Sequence, residues 1–275
     1  HERNKLDIHA FIAGPAARIF RREGIPYKKV PIGEVRITEL LRKHTDADLI
    51  LLGTGWMTSI ESDALRAVKQ LGMKHAVYLD SWVNYRERFG YPEPKWRKNL
   101  PDEIWVGDTE AFSMAQKYFP KTQVRYILNR YFAKMVARYK EEKATLTSNP
   151  DAILFLSDAT KESSDALRNL LDLLGVSPKT KRWEIRLHPA DPKDRYQELL
   201  ATYKSKIHLT VSREKDIVRN LITARLVIGT ETVALVAALL VGVRTVSLVS
   251  KGKHRQLPFA DILRIQNIER ISDLI

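Results

Sequence analysis

Short apolar runs of four to seven residues, rich in Val, Ile, Leu and Tyr, alternate along this chain with longer segments of helical periodicity. That alternation constrains the fold more than any other feature, because strands joined by helix-length crossovers pair in parallel and place the helices on the sheet faces. The expected strands of the first half are 7–12, 27–30, 48–53, 75–79, 103–106 and 123–127, with helices at 34–44 and 59–71. The second of these helices carries Ile60, Ala64, Leu65, Val68 and Leu71 at i, i+3, i+4 spacing and stops at Gly72. A charged helical stretch, 129–143, then runs into the small polar segment ATLTSNP (144–150), whose proline disfavours helix at the residue before it. The alternation restarts with strands at 152–156, 183–187, 207–211, 226–229 and 245–249, and helices at 163–174, 195–203, 214–223 and 232–240. A chain of 275 residues suits two domains of roughly 100–200 residues each. The expectation is therefore an α/β protein with two Rossmann-like domains, 1–145 and 146–275.

Composition narrows the chemistry. With no cysteine, disulfides, thiolate zinc sites, iron–sulfur clusters and cysteine nucleophiles are excluded together, and a reducing, cytoplasmic setting is expected. The longest apolar run, 233–243, falls short of the ~18 residues of a membrane-spanning helix. The 46 Lys+Arg against 33 Asp+Glu give a net charge of +13, which suits an anionic partner. The basic residues are scattered over 18–22, 95–98, 179–182 and 251–255, with no arginine-rich arm, so a nucleic-acid partner is not expected and a charged small substrate is. No dinucleotide fingerprint, P-loop, H-E-x-x-H or G-x-S-x-G occurs, no D-x-D tract ends a strand, and the seven histidines are dispersed. No cofactor and no metal site are expected. The chain enters a strand-like run within a few residues of His1 and stops at Ile275 soon after its last one, so further sequence is expected at either end.

Open α/β sheets bind ligands beyond the carboxyl ends of their strands, so the loops after strands are where function should lie. In the second half, strand 183–187 runs into His188-Pro189, and strand 226–229 runs into Thr230-Glu231-Thr232 at a helix start. Free backbone N–H groups, two hydroxyls and the positive end of a helix dipole suit a phosphate, and His188 supplies a further donor. The competing reading is ordinary helix capping by the threonines and a structural histidine. Arg186 points from a strand and reads as structural. In the first half, strand 75–79 ends at Asp80, followed by Ser81-Trp82-Val83-Asn84-Tyr85-Arg86. An acid flanked by aromatics that can stack on a sugar face suits an acceptor site, with Thr54, Trp56, Trp82, Asn84, Tyr85 and Arg86 as candidate acceptor contacts. Against this, Asp80 caps the next segment and Trp82, Tyr85 and Phe89 fill the core. Asp108, at a third strand end, reads equally as a helix cap.

The tract VIGTETVALVAALLVGVRTVSLV (227–249), preceded by IRLHP (185–189), resembles the donor domain of GT-B glycosyltransferases. More narrowly, His-Pro followed by a Ser/Thr pair resembles bacterial sialyltransferases and other enzymes that use CMP-linked nonulosonic acids or Kdo. The resemblance implies two Rossmann-like domains facing a cleft, with His188 and Pro189 at the nucleotide and Thr230 and Thr232 at its phosphate. It also implies a general base on the amino-terminal domain, which selects Asp80. Glu231 splits the hydroxyl pair and departs from that pattern. A carboxylate there resembles UDP-sugar 2-epimerases and UDP-sugar transferases, where it grips the ribose hydroxyls. The resulting expectation is a metal-independent, inverting glycosyltransferase of surface polysaccharide synthesis, taking sugar from a CMP-activated nucleotide-sugar donor to a glycan or lipid-linked acceptor, with peripheral contact to the inner membrane face. The alternatives are a UDP-sugar 2-epimerase or UDP-sugar-dependent transferase of the same fold, and a non-catalytic protein that binds anionic glycan or nucleic acid.

Overall fold

The computed structural model describes residues 6–14, 16–55, 59–146, 150–174, 182–249, 257–266 and 268–274. The chain divides into two units, one of His1–Asp80 with Asn84–Ile127, the other of Ser81–Val83 with Leu128–Ile275.

The first unit runs β1 (Phe11–Ile12), α1 (Ala16–Arg22), β2 (Lys28–Lys29), α2 (Glu34–Leu41) with a 3₁₀ turn at Arg42–His44, β3 (Ile50–Leu52), α3 (Ile60–Gln70) and β4 (His75–Leu79). After 3₁₀ turns at Glu87–Phe89 and Trp96–Asn99 come β5 (Glu103–Val106), α4 (Thr109–Tyr118) and β6 (Gln123–Tyr126). Strands β3-β4-β5-β6 pair in that order, all parallel, while β1 and β2 form a separate parallel pair. The amphipathic spacing read for 59–71 puts Ala64, Leu65, Ala67 and Val68 of α3 in the core.

The second unit opens with α5 (Arg130–Ala144) and continues β7 (Ala152–Leu156), α6 (Lys161–Leu174), β8 (Arg182–Arg186), α7 (Gln197–Tyr203) and β9 (His208–Val211). It ends with α8 (Ile217–Thr223), β10 (Ala224–Gly229), α9 (Val233–Leu240), β11 (Arg244–Leu248), β12 (Leu263–Ile265) and a 3₁₀ turn at Ile268–Leu274. Its six strands are all parallel, in the order β12-β11-β10-β7-β8-β9. The first strand of the unit thus sits at the centre, between the second and the fourth, which is the Rossmann winding. Every residue of β7 is buried, as a strand with helices on both faces must be. Ile153 and Phe155 meet Leu167, Leu170 and Leu171 of α6, and each such side chain contributes roughly 1.5–3 kcal/mol by leaving water.

Three differences from the sequence expectation have physical causes. The division falls at Ile127/Leu128 rather than at 145/146, because α5 turns Met135 and Tyr139 inward and packs on α8 and α9, where Arg138 pairs with Asp216 and Arg219 with Glu142 at 3.1 Å. The expected strand 7–12 shrinks to Phe11–Ile12. Strand β12 was not expected; its middle residue, Arg264, is a charged side chain held by Glu231 at 3.2 Å.

Candidate functional site

In the second unit the chain leaves β7 toward β8 and leaves β10 toward β11, in opposite directions, so a crevice opens where their carboxyl ends lie side by side. Gly229 ends β10 against β7 so closely that a Cβ there would lie 3.0 Å from the Leu156 carbonyl oxygen. The Thr230 hydroxyl donates to Asp158 Oδ2 across this junction. Asp158 Oδ1 accepts from the Thr160 backbone N–H at 2.9 Å and from the Thr160 hydroxyl at 2.5 Å. Ala159, between them, has φ 66°, a left-handed conformation that an alanine holds only where its surroundings impose it. Thr160 Oγ1 accepts the Ser163 N–H at 3.2 Å and so caps the first turn of α6.

A second set of bonds joins this loop to the exit of β8. The Arg195 guanidinium donates to the Thr160 carbonyl, to Ser164 Oγ at 2.9 Å and to Asp191, whose side chain is fully buried. Asp191 in turn accepts the His188 N–H at 2.8 Å. His188 Nδ1 accepts the Ala190 N–H at 3.1 Å, so the neutral ring carries its proton on Nε2 and has one donor left. His188 and Thr230 therefore leave strands on either side of β7, joined by a continuous hydrogen-bonded run through Asp191, Arg195, Thr160 and Asp158.

The remaining donor-side candidates take defined positions. Pro189 lies in the His188 turn. Thr232 is the N-cap residue of α9 without a side-chain capping bond, and its hydroxyl-bearing side chain is largely buried. The Thr230 hydroxyl proton is engaged by Asp158 within this loop pair. Glu231 is turned toward β11 and β12: its carboxylate accepts from Ser247 Oγ at 2.7 Å, Arg264 Nε at 3.2 Å and the Leu257 N–H at 3.0 Å. Arg264 extends this hold to the carbonyls of Leu257, Phe259 and Ile262. Arg186 is structural, as expected, clamping the carbonyls of Glu214 and Lys215 and the amide oxygen of Asn220, and burial pulls its pKa below the usual arginine range.

In the first unit, Asp80 ends β4 with two thirds of its side chain exposed. The Arg88 guanidinium, only 6% exposed, donates to Asp80 Oδ1 at 2.8 Å and to the carbonyl and hydroxyl of Thr54 at 2.5 and 2.8 Å. Thr54 passes its own proton to the Tyr78 carbonyl at 2.9 Å. Beside them a recess is lined by Gly53, Gly55, Glu61 and Phe89, with the Glu61 carboxylate against the Gly55 backbone. Asp80 is not a helix cap here but a carboxylate oriented by a buried cation.

Two acceptor candidates are corrected. Tyr85 is buried and stacks on Phe119 with centroids 6.2 Å apart, and burial pushes its phenol pKa up. Trp82 is buried in the second unit, edge-on to Phe259 at 5.0 Å and beside Phe132. Both are core aromatics and offer no face to a sugar. Thr54 is buried too and accepts from Arg88. Asn84 adopts φ 58° and its carbonyl accepts the Arg88 N–H at 3.1 Å; Arg86 lies over the Tyr91 ring at 4.2 Å. Trp56 lies outside the described residues. Asp108 caps α4 by accepting the Ala111 N–H at 2.7 Å.

Asp158, Arg195 and Arg88 were missed. Asp158 follows a buried strand and precedes a helix, the same pattern that singled out Thr230, so that signal was present. Arg195 and Arg88 gave none, since the bonds that join Arg195 to Thr160 and Ser164, and Arg88 to Thr54, span 35, 31 and 34 positions. Among the described residues no group of three or more His, Asp or Glu is arranged to hold a metal ion, and no helix is long and apolar enough to cross a membrane.

No protein-family profile matches the chain, and no curated protein does. Solved structures do. The chain is similar to MurG of Acinetobacter baumannii (TM-score 0.58, 11% identity, 96% of this chain and 80% of that one). It is similar also to UDP-GlcNAc 2-epimerase from Methanocaldococcus jannaschii (0.62, 13%, 93% and 80%) and to a glycosyltransferase from Rickettsia africae ESF-5 (0.60, 12%, 95% and 76%). At these identities the likeness is one of fold: an α/β protein with two Rossmann-like domains of the GT-B kind.

Proposed function

We propose that the chain is a GT-B glycosyltransferase that binds a nucleotide-activated sugar at the strand-end crevice of its second unit. The observation that carries this reading is the linked constellation there: His188 with its Nε2 proton free to donate, the capped start of α6, and the start of α9, brought to adjacent strand exits by the Arg195 and Asp158 bonds. Donor hydrogens and a helix dipole at one place favour the phosphates of a nucleotide, and the same donors would stabilise charge growing on the leaving phosphate. In the first unit Asp80, oriented by Arg88, is the proposed base for the acceptor hydroxyl, and the acceptor is a glycan or lipid-linked sugar. The His-Pro resemblance favours CMP. The solved structures of similar fold include a UDP-GlcNAc 2-epimerase, and UDP fits equally well.

A UDP-sugar 2-epimerase is the second reading. It is favoured by the burial of Trp82 and Tyr85, which removes two aromatic platforms from the acceptor side, since an epimerase needs no acceptor. Calorimetry with UDP, CMP and a short oligonucleotide tests both. One mononucleotide is expected to bind, with His188→Ala weakening it at least tenfold, or about 1.4 kcal/mol. Sugar epimerised without acceptor would select the second reading, and binding of the oligonucleotide alone would overturn both.

A further inference from the structure

Helix α5 reaches further than its packing requires. Arg138 pairs with Asp216, the N-cap residue of α8, and Glu142 pairs with Arg219 about one turn further along both helices, so α5 and α8 run in the same direction. α8 follows β9 and therefore starts at the carboxyl end of the sheet. Tyr131 precedes Arg138 by seven residues, two turns back on the same side of α5. It thus stands about 10 Å ahead of the start of α8, past the strand ends. The turn that carries it is fixed: Asn129 Oδ1 accepts the Tyr131 and Phe132 N–H groups at 3.1 and 3.2 Å, and the Phe132 ring stacks on buried Trp82 at 6.2 Å.

The Tyr131 ring itself lies open. It is 66% exposed; among the described residues it meets one other ring, Phe132 at 5.4 Å, and its hydroxyl has no hydrogen-bond partner. Beside it is the exit of β8. Arg186 holds the carbonyls of Glu214 and Lys215, which fastens the loop between β9 and α8 against that exit, and His188 follows two residues later. Burial lowers the Arg186 pKa, opposed first by the Asp216 charge and then by the Tyr131 phenol, which agrees with a ring on the Arg186 side of α5. Single exposed aromatics are ordinary on a protein surface. Tyr131 is set apart by its place, raised above the strand ends on a capped turn, on the side of the sheet where His188 and the start of α9 present their donors. A flat apolar face ordered before its ligand arrives is a stacking platform.

With the donor assignment of the second unit as premise, we propose that Tyr131 stacks on the base of the bound nucleotide while His188 and the start of α9 hold its phosphate. The nucleotide then runs from the exit of β10, past that of β8, to the first turn of α5. Stacking reads the π-face, which cytosine and uracil share, so Tyr131 contributes affinity for CMP and UDP alike and leaves the choice between them to contacts with the base edges.

Calorimetry on the parent, Tyr131→Ala, Tyr131→Phe and His188→Ala, with CMP, UDP and the base-less probe ribose 5-phosphate, separates these roles. Tyr131→Ala is expected to weaken the mononucleotide that the parent binds at least about fivefold and to leave ribose 5-phosphate within about twofold. Tyr131→Phe keeps the parent affinity, and His188→Ala weakens both ligands. The H5 and H6 resonances of the base are expected to move upfield on binding to the parent but not to Tyr131→Ala, a ring-current effect that a purely structural role does not produce. Unchanged nucleotide affinity in Tyr131→Ala, or an equal loss for both ligands, would overturn the inference. A loss confined to acceptor-dependent turnover would also overturn it, by giving the ring to the acceptor. A parent that binds neither mononucleotide would overturn the donor assignment itself, and the role of Tyr131 with it.

Discussion

Asp80 holds one carboxylate oxygen against a buried guanidinium while most of its side chain stays in solvent, an arrangement that fixes direction without removing access. A general base so placed contributes roughly 10²–10⁴-fold in rate. Asp80→Asn keeps an acceptor for Arg88 and removes only the basic oxygen. The expected outcome is unchanged folding and nucleotide affinity, with sugar transfer reduced by at least about a hundredfold; a rate close to the original would place the base elsewhere. Glu103 offers a test of the fold at the same scale. The Trp105 indole N–H at 2.9 Å, with Arg125 at 2.7 Å, holds its carboxyl below the usual glutamate range. A carboxylate with a lowered pKa stabilises the folded state above its unfolded-state pKa, and that contribution is lost as pH falls through the folded value. Glu103→Gln should therefore melt lower than the parent at pH 7, with the two melting curves converging as pH is taken from 5 to 3. A gap that stayed constant with pH would rule out the charge as its origin.

Among elements, α8 shows how a short helix can be held by polar bonds as much as by its apolar face. Its buried Asn220 accepts from Arg186 at 2.6 Å and donates to Ser212 Oγ at 2.6 Å and Glu184 at 3.1 Å, joining helix, strand and loop. Asn220→Leu leaves each of those partners one bond short in a desolvated setting, at a cost of about 1–3 kcal/mol, read as roughly 2–4 °C of melting temperature per kcal/mol for a chain of this size. A change below 1 °C would mean that water replaces the amide. Strands β3 to β11 were all legible in the sequence, and β4, β5 and β7 were bounded to the residue, because a short apolar run between helical segments survives without help from neighbours. β12 was illegible because Arg264 belongs to a strand only by virtue of Glu231, 33 positions earlier. For α5 the sequence showed a charged helical stretch but not on which unit it packs. Trp82 and Tyr85 misled for a related reason: in a stretch that mixes acid and aromatic residues, the acid faces water and the rings face the core, and sequence order alone carries no such sorting.

At the scale of the whole molecule, the net charge of +13 attracts any polyanion, so binding by itself says little until salt is varied. Oligonucleotide binding driven by that charge should weaken at least about tenfold between 0.05 and 0.2 M salt, while mononucleotide binding at a built site should change by less than about threefold. Parallel salt dependences for the two would favour a non-catalytic polyanion-binding protein. The Arg195 guanidinium, fastened to Thr160, Ser164 and Asp191, has a consequence in time rather than in space. Two loops fastened by one cation cannot fluctuate separately. Contact with Thr160 alone would therefore be heard at Asp191 as slower amide exchange, and the residence time of a bound anion would follow the rarer, joint opening of both loops.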